Sequence, residues 1–73
     1  MADEVLDCKG MNCPMPIVRI SQIMRKMSSG QTLQVEATDP AFKADLEAWV
    51  KRFGHRIESF ETTDCLRAVL VKS

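Results

Sequence analysis

Thr32-Leu33-Gln34-Val35-Glu36-Ala37-Thr38-Asp39-Pro40 is the stretch that decides the architecture of this 73-residue chain. Leu33, Val35 and Ala37 alternate with Gln34 and Glu36, so one face is apolar and the other polar, the period-two pattern of a half-buried strand. A strand covered on both faces would be apolar throughout. The sheet that holds this strand is therefore expected to carry helices on one side only. Asp39-Pro40 then predicts a helix start, an acidic cap followed by proline in the first turn, where its missing N–H costs little. Phe42, Leu46, Trp49 and Phe53 recur at helical spacing as the buried stripe, with Val50 alongside, and Gly54 stops the helix.

Working outward, Glu4 to about Cys8 reads as a short strand with Val5 and Leu6 as its apolar content. Lys9-Gly10-Met11-Asn12 is a loop. A first helix is expected from about Pro14 to Met27, with Ile17, Ile20, Met24 and Met27 on one face and Gly30 as its stop. Beyond Gly54, Arg56 to about Thr62 and Leu66 to about Lys72 are strand-like and meet at Thr63-Asp64-Cys65. Ile57 and Phe60 cannot share a face of a regular strand; a bulge between them reconciles the two. The order β-α-β-α-β-β predicts one α/β (α+β) domain over residues 1–73. It is a two-layer sandwich, a four-stranded mixed sheet with two helices on one face.

Apolar residues make up 45% and charged residues 27%, ordinary globular values. Ten basic residues balance ten acidic ones, which argues against direct nucleic-acid binding, since a phosphate-backbone binder shows a basic excess. No apolar run approaches the ~20 residues needed to cross a bilayer, so no membrane partner is expected. Met1-Ala2-Asp3-Glu4 lacks the pattern of a signal peptide, and a cytoplasmic location with reduced thiols follows as the expectation. Three cysteines cannot pair completely. The chain is expected to be a monomer.

The chemistry concentrates at Cys13-Pro14-Met15-Pro16. With Pro14 as the first helical residue, Cys13 is the expected cap, and the positive end of the helix dipole should lower its pKa below the free value of about 8.5. Pro14 and Pro16 stiffen the junction and leave only the N–H groups of Met15 and Ile17 to face the sulfur. In a C-x-x-C redox motif a resolving thiol would stand where Pro16 does, and a thiol without such a neighbour can hold a sulfane sulfur undischarged. Cys8, five residues away, is a possible resolving thiol or a small buried residue at a strand end. Cys65 reads as structural. His55, directly after Gly54, reads as a loop-to-strand residue rather than a base. No zinc spacing is present, so no metal is expected. Arg19, Gln22 and Lys26 lie along one flank of the first helix, and with Lys9, Arg25, Met11 and Met15 they form a candidate docking rim, or simply a solvated face.

Leu6-Asp7, Gly10-Met11-Asn12-Cys13-Pro14-Met15-Pro16, Gly30, Thr38-Asp39-Pro40, Trp49 and Gly54-His55 together resemble the TusA/SirA-like sulfur carriers, from about Val5 to Lys72. The resemblance implies a βαβαββ two-layer sandwich and a persulfide carried on Cys13, with no other cofactor. It implies a protein sulfur donor, a cysteine desulfurase or rhodanese-like protein, and a protein acceptor. Acceptors in the family serve tRNA thiolation, molybdenum-cofactor assembly or sulfur oxidation. Gly10 would shape the approach loop. Cys8 and Cys65 lie outside the family motif. Two rivals stay open: a thiol-disulfide redox protein using Cys13 with Cys8, and a regulatory or protein-binding module in which Cys13 only packs.

Overall fold

The computed structural model describes residues 2–73 and gives β1 (Glu4–Cys8), α1 (Met15–Met24), β2 (Thr32–Ala37), α2 (Phe42–Phe53), β3 (Arg56–Thr62) and β4 (Leu66–Val71) in that order. The four strands form one sheet in the order β1-β2-β4-β3. β1 runs parallel to β2, and β4 pairs antiparallel with both β2 and β3, so the sheet is mixed as expected.

Alternation in β2 is realised in full: Leu33, Val35 and Ala37 are buried, while Gln34 and Glu36 stay partly exposed on the uncovered face. Ala68 and Leu70 of β4 extend the same buried surface, and Ile20, Met24, Phe42, Leu46 and Val50 cover it from the two helices. The expected bulge is present in β3. Ile57 pairs with Leu70 and Ser59 with Val69, so Glu58 is the extra residue, and both Ile57 and Phe60 pack against the core.

Several boundaries differ from the sequence expectation. α1 begins at Met15 and ends at Met24, three residues short of Met27. Its tail tightens instead, with Lys26 N–H donating to Ile23 O at 3.0 Å and Met27 N–H to Met24 O at 3.2 Å, and Met27 is still buried. α2 begins at Phe42, because Asp39-Pro40 forms a turn ahead of the helix rather than its first residues. Its buried stripe is Phe42-Leu46-Val50; Phe53 is 56% exposed and Trp49 half-buried, with ring centroids 5.6 Å apart. Gly54 ends α2 as expected, at φ 78°. In β1 the inward residues are Leu6 and Cys8, and Val5 points out. β4 stops at Val71, one residue before Lys72.

Candidate functional site

Parallel pairing of β1 with β2, from Glu4 opposite Leu33 to Cys8 opposite Ala37, ends both strands at one edge of the sheet. The segments that leave them are stitched together there. Met11 N–H donates to Cys8 O at 3.1 Å, and Gly10 between them takes φ 82°, a conformation open to glycine. Gly10 N–H donates to Thr38 Oγ1 at 2.9 Å, and Cys13 N–H to Asp39 Oδ2 at 2.6 Å. The other carboxylate oxygen of Asp39 accepts from Ala41 N–H at 3.0 Å, and its carbonyl accepts from Phe42 N–H at 3.0 Å. One aspartate thus fastens the thiol loop and opens α2.

Cys13 is exposed, and its Sγ donates to Asp45 Oδ2 at 2.7 Å, a carboxylate in the first turn of α2. The thiol pKa is raised, first by the hydrogen bond to Asp45, then by loss of solvent and the negative charges of Asp45 and Asp39. This reverses the expectation of a depressed value. Pro14, not Cys13, is the N-cap of α1, no side chain caps that helix, and Met15 N–H donates to Asn12 O at 2.8 Å. The sulfur's hydrogen-bond partner is thus Asp45 rather than a first-turn N–H, and the charge of Asp39 also acts on it. Pro16 occupies the first turn of α1 and is buried, while Pro14 is exposed and joined to Cys13 by a cis peptide bond.

The other thiols sit elsewhere. Cys8 is buried in the core, and burial pushes its pKa up, with Arg19 opposing and Asp7 adding. Cys65 is half-buried, with Sγ 4.0 Å from Glu36 Oε2 on the uncovered sheet face. All three cysteines are free. Cys8, expected as a possible resolving thiol, thus takes the core position, and the structure does not bring it to Cys13's exposed surface.

The basic residues of the expected rim make contacts of their own. Lys9 lies 3.9 Å from Glu36, which also binds Arg67 at 2.9 Å. Arg19 donates to Gln22 at 3.4 Å, and Lys26 lies past the end of α1, roughly 15 Å along the axis from its start at 1.5 Å per residue. Met15 is 47% exposed next to the thiol, and Met11 packs partly on the core. His55 accepts from Ser73 N–H at 3.2 Å and stacks near Trp49, consistent with a structural role. Among the described residues, no group of three or more His, Cys, Asp or Glu side chains could hold a metal ion, and no helix is long and apolar enough to cross a membrane.

The family described as Sulfurtransferase TusA matches residues 4–72, which include the whole of this stitched loop. The chain belongs to the TusA family. YrkI of Bacillus subtilis (strain 168) is 52% identical over 63 residues, covering 86% of this chain and 81% of its own. The Sulfur carrier protein TusA of Allochromatium vinosum is 46% identical over 55 residues, covering 75% of this chain and 72% of its own. Two further relatives are matched over only 32% and 28% of their length. The crystal structure of a SirA-like protein from Desulfitobacterium hafniense superposes with a TM-score of 0.83 over 93% of this chain and 95% of that one; at 17% identity it supports the fold alone.

Sequence reasoning located the thiol of this TusA-family chain but missed the carboxylate on it. In the sequence Asp39 marks a helix start, but no local signal marks it as the acceptor for Cys13 N–H or Asp45 as the acceptor for the thiol. The signal lay in the topology. Two parallel neighbouring strands, each followed by a helix, must deliver both following segments to the same sheet edge.

Proposed function

We propose that this chain is a sulfur carrier in which Cys13 accepts sulfane sulfur as a persulfide and yields it to a cysteine of another protein. The observation that carries the reading is exposure: within a matched family of sulfurtransferases, Cys13 is the one exposed thiol of three, on a loop held by backbone contacts to Thr38 and Asp39. The loading step balances without an oxidant. The Cys13 sulfur attacks the terminal sulfur of a donor persulfide, the donor S–S bond breaks, and its electron pair leaves on the donor sulfur. The proton lost by Cys13 is matched by the one the donor thiolate takes up, and the product is Cys13-S-SH. Unloading is the same exchange with an acceptor thiol as the attacking partner. The donor fits a cysteine desulfurase or a rhodanese-like protein, and a reducing, cytoplasm-like compartment keeps Cys8 and Cys65 from competing by oxidation.

The test is intact mass after incubation with polysulfide, thiosulfate or a protein persulfide donor. Wild type and Cys8→Ser should gain about 32 Da, one sulfur, and Cys13→Ser should not. A loss of about 2 Da that requires both Cys8 and Cys13 would instead establish the disulfide-forming rival. No adduct from any donor would leave a binding module.

A further inference from the structure

We propose that Asp45 is a positioning residue that holds the Cys13 sulfhydryl protonated and unreactive through the Sγ–Oδ2 hydrogen bond, so that sulfur loading begins with release of this contact. The inference rests on Cys13 being the sulfur-carrying thiol and concerns how that thiol is controlled. Asp45 is half-buried in the first turn of α2, anchored by its neighbours Phe42 and Leu46, both buried, and it reaches Sγ at 2.7 Å. Because the carboxylate accepts, the proton stays on sulfur. A thiolate there would face an anion across the same distance.

Every element packed around Cys13 points the same way. From α2 comes Asp45, and from the segment after β2 comes Asp39, whose Oδ2 takes the Cys13 N–H. Among the described residues, the charged groups that act on the thiol are these two acids, and both oppose its ionisation. On the thiol's own segment Lys9 is directed to Glu36, and the charge of Arg19 acts on Cys8. The thiolate is the attacking form in sulfur exchange, so a carrier free in solution is kept from indiscriminate alkylation and oxidation. Loading then requires the Cys13 side chain to turn from Asp45 toward the donor sulfur. The proton passes from Cys13 to solvent or to the leaving donor thiolate, and the atoms balance as in the step above.

The experiment measures the pH dependence of Cys13 alkylation by iodoacetamide, in a Cys8→Ser, Cys65→Ser background, for wild-type Asp45, Asp45→Asn and Asp45→Ala. Both variants should titrate at lower pH than wild type. Below both midpoints, each unit of downward shift raises the thiolate fraction tenfold, partly offset by the lower nucleophilicity of a less basic thiolate, so several-fold faster labelling at pH 7 is expected. Asp45→Glu, which keeps the charge, should stay closer to wild type. Far-UV circular dichroism and a urea midpoint confirm that each variant is folded. Profiles that coincide for all folded variants overturn the proposal. Sulfur loading, read by mass, separates the two ideas: shifted profiles with no sulfur gained by any protein would sink the carrier reading while leaving the Asp45 contact established.

Discussion

The stack of Phe42 on Phe60 is where the fold and the thiol site can be tested together. Phe42 is 1% exposed, and its ring centroid lies 6.2 Å from that of Phe60 with 29° between the planes. Phe60 can make this contact only because the bulge at Glu58 returns it to the inner face of β3. Phe42 stands between Asp39 and Asp45, so the stack also fixes the start of α2 and the carboxylate against Cys13. A 73-residue domain has about 4–11 kcal/mol of total stability at roughly 0.05–0.15 kcal/mol per residue. Truncating a buried Phe to Ala costs about 3–5 kcal/mol and could unfold it outright. Leucine is the better probe. Phe42→Leu should cost about 1–2 kcal/mol, and Phe60→Leu, half-buried, about 1 kcal/mol. The double variant should cost less than both together, by the ring–ring coupling of about 0.5–1.5 kcal/mol. The cation–π contact of Lys43 with Phe60, at 5.5 Å, is lost in both legs that change Phe60 and cancels. With a urea m-value of about 1 kcal/mol/M, each kcal/mol moves the midpoint by about 1 M, so the cycle is readable by urea titration. A coupling below about 0.3 kcal/mol would refute the packing, and with it the bulge that places Phe60 inside.

Two further measurements probe the end of α2. Gly54→Ala should cost about 1 kcal/mol in urea unfolding, because Gly54 sits at φ 78° and a Cβ there meets nothing nearer than Ser73 Oγ at 3.9 Å, leaving only backbone strain; a cost under about 0.3 kcal/mol would contradict the left-handed cap. The pKa of His55 is lowered, first by burial and then by Lys72, so the unfolded chain binds a proton more readily than the folded one. Stability should therefore fall as pH drops through the unfolded value of 6.5, and His55→Gln should remove that part of the fall. Equal pH slopes for the two proteins between pH 7.5 and 5.5 would contradict the assignment.

Legibility in the sequence followed the strength of the local signal. The inward face of β2 was legible because alternation in Leu33-Gln34-Val35-Glu36-Ala37 admits one register only, although the strand expected over Thr32–Thr38 ends one residue earlier, at Ala37. The bulge in β3 was legible from a conflict, since Ile57 and Phe60 could not both be apolar and face inward without it. Helix ends were less legible. Apolar periodicity continued to Met27, but the backbone had already tightened past Met24, and periodicity does not distinguish a helical turn from the tighter turn that keeps the same face buried. In α2 the choice between Val50 and Phe53 depended on where the sheet lay beneath the helix, which is tertiary information. The thiol environment was the least legible. Pro14 and Pro16 suggested a helix end aimed at the sulfur, while the deciding group, Asp45, lies 32 residues away in sequence.

Sequence and structure converge on a thiol with no second thiol of its own chain beside it at the surface. Pro16, which stands where a C-x-x-C motif would put its second sulfur, is buried in the first turn of α1. Cys8, the nearest cysteine in sequence, would have to leave the core beneath the helices to reach the surface. Cys65 is directed to Glu36 on the opposite, uncovered face of the sheet. A persulfide on Cys13 would therefore face Asp45 and Asp39 rather than a thiol. Those carboxylates repel an anionic sulfur, hydrogen-bond a protonated one and attack neither. Discharge then depends on a thiolate brought by another protein, and the rate of sulfur release becomes a property of the encounter rather than of the carrier. On that reading Asp45 and Asp39, which oppose ionisation of the empty thiol, offer a loaded one no attacking sulfur, and with Cys8 in the core and Cys65 on the other sheet face a persulfide there would wait for its partner.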